Sequence, residues 1–270
     1  MTNLARRRVV PLRCNIHETA SLHPDAQLGV GVEIGPYSYV GPEVVIGDGT
    51  RIGPRVILQG PVTMGRGNRV YTGARIGGNP RAPSYEGPSG PVLLGDNNII
   101  REYVTIAGGC LRTGNPTRLG NQNFIMCYVQ VGSECSISER VVMTHRAVAH
   151  HGVTIEDRVI ISGLSSVRQH TRIGRVVMVG ALTKITKDLP PFVIVRGNPA
   201  RVHGVNVEGL RRSGMSQEQR AEVRRAFKVL YRSGLPLPEA IERLDQDFQG
   251  NDVVSDLVRF LRGCRRGVCP

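Results

Sequence analysis

The chain has 270 residues, a formal net charge of +13 and 40% hydrophobic content, but only 4% aromatics and no tryptophan. It is too apolar for a disordered chain and too poor in rings for an aromatic-filled core; its 33 glycines and 17 prolines imply many tight turns. No apolar run approaches the ~18 residues of a membrane span, and six cysteines (Cys14, Cys110, Cys127, Cys135, Cys264 and Cys269) lack the spacing of a disulfide scaffold or a zinc site.

The opening stretch MTNLARRRVVPLRC is basic and has no apolar core, so it reads as neither a secretory signal nor a membrane span, and a cytoplasmic protein is expected. From Ile16 a different pattern takes over. Aliphatic residues recur at every sixth position from Ile16 through Leu22, Leu28 and Ile34 to Ile76. They return at Leu94, Ile100 and Ile106, and run again, shifted by one residue, from Leu119 through Val131, Ala149 and Val167 to Ile185. Period six fits neither a helix nor a plain strand; it fits a short strand plus a turn, repeated. Three units close a triangular coil of about 18 residues, so residues one coil apart stack at the ~4.8 Å strand spacing. The apolar residue points inward, and the glycine that often follows it (Gly29, Gly35, Gly47, Gly53, Gly65) is expected to make the turn.

The predicted parallel β-helix spans 14–190, with two interruptions. Residues 77–93 replace repeats without loss of register, whereas 107–118 break it. Loops leaving a rigid solenoid are favoured places for ligand contacts, and the longer first loop is the stronger candidate. Residues 191–214 form a connecting segment, and 215–270 a small helical domain. There Ser216 with Gln219 makes a capping box before a helix presenting Val223, Phe227, Leu230 and Tyr231 on one face. Gly234 and Pro236 stop it. A second helix follows Pro238 with Ile241, Leu244 and Phe248, and a third runs from about Asp252 to Leu261. These helices are expected to cover the solenoid's open end.

The positive charge comes from 32 arginines and three lysines, and residues 1–205 carry +10 of it. A basic surface suits nucleic acid, an anionic membrane or an acidic protein. No zinc finger, RRM or basic helical repeat supports nucleic acid.

The segments IGPYSYVGPEVVIGDGT, GDNNIIREYVTI, DLPPFVIVRGNPARV and GVNVEGLRRSGMS together resemble the UDP-N-acetylglucosamine O-acyltransferases that begin lipid A biosynthesis, over roughly residues 14 to 250. The resemblance implies a left-handed β-helix, and transfer of a hydroxyacyl chain from acyl carrier protein to the 3-hydroxyl of UDP-N-acetylglucosamine. It implies no metal or redox cofactor, and a homotrimer with sites between adjacent solenoids. Acyl carrier protein is acidic, which suits the basic solenoid.

Residue by residue, the likeness is uneven. The family's general-base His position is Ser133 here, and Glu134 stands in place of the Asp that orients that base. A second family His aligns with Gly152, and the oxyanion-hole Gly before it with His151. Arg168 replaces a further His, although Gln169 beside it matches. In the first loop the family's Asp and Lys positions are Ala82 and Ser84. The nucleotide side is better kept: Asn206, Glu208 and Arg212 match positions that contact the UDP part, and guanidinium donors suit phosphate oxygens. Ser213 replaces the last Arg of that motif. Ala181 aligns with a Gly of the acyl-chain ruler, which implies a preference for shorter chains. The coil arithmetic offers a replacement base, because His151 lies one 18-residue coil beyond Ser133 and is expected to stack beside it. Two other readings remain: a non-catalytic paralogue that binds nucleotide sugar or carrier protein, and a hexapeptide acyltransferase with a different acceptor.

Overall fold

The computed structural model describes residues 14–79 and 89–270. Strands of two to three residues form three long walls: a 9-stranded sheet, an 8-stranded sheet and an 11-stranded sheet. Within the repeats every pairing is parallel and one coil apart, as in Ile16 with Ile34, Val131 with Ala149, and Ile137 with Ile155. The first interruption lengthens the step to Val70 with Ile100, and the second to Ile100 with Ile125. A mainly β, parallel β-helix with C-terminal helices results.

The six-residue period works through two inward positions. The repeat residue itself is buried (Ile34, Leu58, Ile100, Ile125, Ile161), and so is the residue two before it (Val32, Val56, Asn98, Asn123, Val159). Alternation along a two-residue strand puts both inside, and each buried aliphatic contributes about 1.5–3 kcal/mol. Three asparagines enter this core. Asn68 Oδ1 accepts from Asn98 N (2.9 Å) and Nδ2 (3.0 Å), Asn98 Oδ1 from Asn123 N (2.9 Å), and Asn123 Oδ1 from Val141 N (2.8 Å). This ladder satisfies buried amides across four coils.

The expectation that the following glycine makes the turn is corrected. Gly35 and Gly47 are not at positive φ; a Cβ there would lie 2.8 Å from Gly53 C and 2.5 Å from Gly65 C on the next coil. Their role is close approach of backbones. The left-handed residue falls three places after most repeat residues, as in Tyr37, Arg55, Tyr103, Tyr128, Glu134, His170 and Leu182, with φ between 54° and 61°. Glycine takes that place only at some coils, such as Gly31, Gly49 and Gly152.

After Ile185 the chain makes an antiparallel hairpin, Val193–Arg196 with Arg201–Val205, which ends the 11-stranded sheet. Four helices follow: α1 (Val207–Arg212), α2 (Gln217–Arg232), α3 (Leu237–Asp247) and α4 (Asp252–Arg262). The capping box at Ser216 and Gln219 is present. Phe227 and Tyr231 of α2 pack on the solenoid core, and the C-terminal strand of backbone (Cys269 N to Asp188 O, Val202 N to Pro270 O) closes the same end. The six-residue α1, in the segment expected only to connect, was missed by the sequence reading because it is too short for an amphipathic period.

Candidate functional site

A cleft of about 550 Å³ lies on the 9-stranded sheet at its border with the next corner. Its floor is the outward positions of successive strands, Arg75, Thr105, Gln130 and Val148, which the pairing register puts in one row. Its wall is the two interruptions, which pair with each other: Ser89–Gly90 runs antiparallel to Gly109–Cys110. The anticipated positions Ala82 and Ser84 lie outside the described residues.

Three side chains meet at the cleft's rim. Ser133 Oγ and His151 Nδ1 are 2.9 Å apart, and His151 Nε2 faces Glu134 Oε2 at 3.9 Å. The stacking of residues one coil apart delivers this contact, with Gly152 N donating to Ser133 O (2.9 Å) beside it. Ser133 is 7% exposed. Glu134 sits at the left-handed turn position (φ 58°), and the second loop holds its carboxylate: Thr113 Oγ1 donates to Oε1 (2.8 Å) and Asn115 Nδ2 to Oε2 (3.3 Å). The Glu134 carboxylate is thus at ion-pair distance from the ring, longer than a hydrogen bond, while the Ser133 hydroxyl is within hydrogen-bond distance of the other nitrogen.

The column continues. His170, one coil past Gly152, meets the His151 ring edge to face at 4.9 Å. Burial, then the neighbouring His151 and Arg266, push its pKa below the ordinary histidine value. Gln169, one coil past His151, lines the cleft, as does His150, whose Nε2 lies 3.2 Å from Ser166 Oγ. Among the described residues no three His, Cys, Asp or Glu side chains gather as a metal-ligand set.

The remaining anticipated residues stand apart from this cleft. Asn206 is buried and fully engaged: its Oδ1 accepts from Gly209 N (3.0 Å) as the cap of α1, and its Nδ2 donates to Val176 O (2.8 Å). Within this chain it holds α1 in place. Glu208 bonds Arg211 and Arg212 on the exposed face of α1, each at 2.8 Å. Ala181 is exposed at the opposite corner of the 9-stranded sheet, beside Leu182. That corner is a row of left-handed turn residues in which Tyr37, Tyr103, Tyr128, Leu164 and Leu182, 49–67% exposed, are interrupted by the exposed Arg55 and Arg146; Tyr103 stacks on Tyr128 at 5.1 Å, and the Arg146 guanidinium lies 5.5 Å from the Tyr128 ring centroid.

Sequence reasoning missed Thr113, Asn115 and Arg75. The outward row containing Arg75 was readable from the repeat; the path of the second loop was not, since a register break carries no period.

A family model for bacterial transferase hexapeptide repeats matches residues 43–78, and a model described as UDP N-acetylglucosamine O-acyltransferase, domain 2, matches 188–269. Together with the cleft they define the class, a hexapeptide-repeat acyltransferase with an appended helical domain. The acyl-[acyl-carrier-protein]–UDP-N-acetylglucosamine O-acyltransferase of Herminiimonas arsenicoxydans is 42% identical over 93% of this chain and 94% of its own. The same-named protein of Xylella fastidiosa is 40% identical over 93% and 96%. The solved UDP-N-acetylglucosamine O-acyltransferase of Moraxella catarrhalis superposes with a TM-score of 0.92 at 34% identity, covering 94% of this chain and 99% of that one. The chain belongs to the UDP-N-acetylglucosamine O-acyltransferase family.

Proposed function

We propose that this protein moves a hydroxyacyl chain from the thioester of acyl carrier protein to the 3-hydroxyl of UDP-N-acetylglucosamine, the first step of lipid A biosynthesis. The observation that carries a working site is the contact of Ser133, His151 and Glu134 at the edge of the cleft. It supplies a base where the family's own His is absent. His151 Nδ1 is the acceptor for the proton of an attacking hydroxyl, and Glu134, pinned by Thr113 and Asn115, stabilises the imidazolium. Backbone N–H groups of the same coil serve the developing oxyanion. Gln169 lies in the cleft to orient substrate, while Arg212, oriented by Glu208, offers the diphosphate an exposed donor from α1.

The assembly we assign is a homotrimer. A corner row of exposed Tyr and Leu side chains interspersed with Arg55 and Arg146 is the kind of mixed apolar and cationic surface that a second copy covers. Because the ridge and the cleft border the same sheet on opposite sides, packing of one copy's ridge on the next would carry Ala181 toward a cleft that it does not line within one chain. The acidic carrier protein is the partner for the basic solenoid. We assign it to the cytoplasm, a reducing compartment in which cysteines joined in no disulfide are usual; among the described residues no helix is long and apolar enough to cross a membrane.

The test is incubation of the purified protein with UDP-N-acetylglucosamine and hydroxyacyl carrier proteins of graded chain length, with the acylated sugar followed by mass spectrometry. Turnover is expected, with the shorter chains preferred. Binding of the nucleotide sugar without turnover would instead assign a non-catalytic paralogue.

A further inference from the structure

Ser133 is more than a replacement for a lost base. Its Oγ lies 2.9 Å from His151 Nδ1, its side chain is 7% exposed yet lines the cleft, and the carboxylate of Glu134 faces the other ring nitrogen. Serine, imidazole and carboxylate in that order are the parts of an activated nucleophile. A sugar hydroxyl attacking directly would first have to displace Ser133 from Nδ1. No such displacement is needed if the serine attacks first.

We propose that Ser133 is acylated during turnover, so that transfer runs by double displacement. In the first half the Ser133 O–H gives its proton to His151 Nδ1 while Oγ bonds the thioester carbonyl carbon. The carbon–sulfur bond then breaks, and the carrier-protein thiolate takes the proton from the imidazolium and leaves as a thiol. In the second half the acceptor hydroxyl gives its proton to Nδ1 and attacks the serine ester. Oγ leaves and recovers the proton. Nothing is oxidised or reduced, and the serine is regenerated. Glu134, held by Thr113 and Asn115, is a positioning residue that keeps the Nδ1 lone pair toward Ser133 in both halves.

The inference rests on the acyltransferase reading, and the experiment separates the two. The full-length protein is mixed with hydroxyacyl carrier proteins and isotopically labelled free carrier protein, without UDP-N-acetylglucosamine. Expected are passage of the acyl group to the labelled thiol and a protein mass increased by one acyl chain, mapped to the peptide containing Ser133. Ser133→Ala abolishes both and slows transfer to the sugar by about a hundredfold or more, whereas Ser133→Cys still takes up the acyl group, as a thioester. Turnover on UDP-N-acetylglucosamine without acceptor-free exchange or adduct would overturn the double displacement and leave the enzyme reading intact. Wild-type turnover in Ser133→Ala would do the same. Exchange and adduct without acylation of UDP-N-acetylglucosamine would uphold Ser133 and remove the proposed acceptor, and absence of all three would overturn both.

Discussion

At the scale of single residues the site depends on one coil step. The resemblance aligns the family's His with Ser133, so the base proposed at His151 would stand ~4.8 Å further along the solenoid, where a misplacement of about 1 Å can already cost a hundredfold in rate. On that proposal the acceptor binds in a shifted pose, or Ser133 bridges the gap. Either way His151→Ala is expected to lower kcat by about 10²–10⁴, and an unchanged rate in the carrier-protein assay would exclude this base. Gly152 is nearly as sensitive. It sits at φ +65°, and a Cβ there would run into the His170 ring that packs on His151. Gly152→Ala is expected to reduce transfer roughly ten- to hundredfold while the protein still folds, checked by kinetics beside circular dichroism. The Ser133–His151 contact was legible in the sequence because both residues occupy the repeat. The grip of Thr113 and Asn115 on Glu134 was not, and Asn206 was legible only as a motif residue, since its buried cap role depends on Val176 thirty residues earlier.

At the scale of elements the asparagine ladder and the corner ion pair carry separate predictions. Asn98→Ala removes the acceptor of Asn123 N inside the core, while Asn68 Oδ1 keeps the backbone N–H of residue 98. A loss of about 1–3 kcal/mol is expected from the one unsatisfied buried N–H, read as a lower denaturant midpoint. At the ridge, Arg101 and then the Cys127 thiol donate to Glu102 and hold its carboxyl down at about 2, from an ordinary 4.5. The folded protein thus binds that proton more weakly than the unfolded chain. The pair's contribution is whole above pH 4.5 and is lost as the pH falls through 2. Glu102→Gln should be less stable than the native sequence at pH 7, with the difference closing on acidification; a gap independent of pH would contradict this. The period of six was readable because every coil obeys it. The turn chemistry was misread because glycine marks the tightest backbone approach rather than the bend, and Tyr, Arg, Glu, His and Leu all accept the left-handed position.

For the whole molecule the proposed homotrimer is tested at the corner row. A carboxylate placed at one of its apolar members, as in Tyr128→Glu or Leu164→Asp, leaves the inward core untouched because both side chains are about half exposed. Sedimentation is expected to show smaller species than for the native chain, with acyl transfer lost in parallel, whereas a native sedimentation profile would place the interface elsewhere. Both Ser133 and His151 belong to a column whose members differ only by their rung: the chain can exchange side chains between rungs without altering backbone, register or core. Such a scaffold lets a catalytic group migrate along the fold in fixed increments, so ancestry can be preserved in the architecture while the chemistry relocates to the neighbouring step.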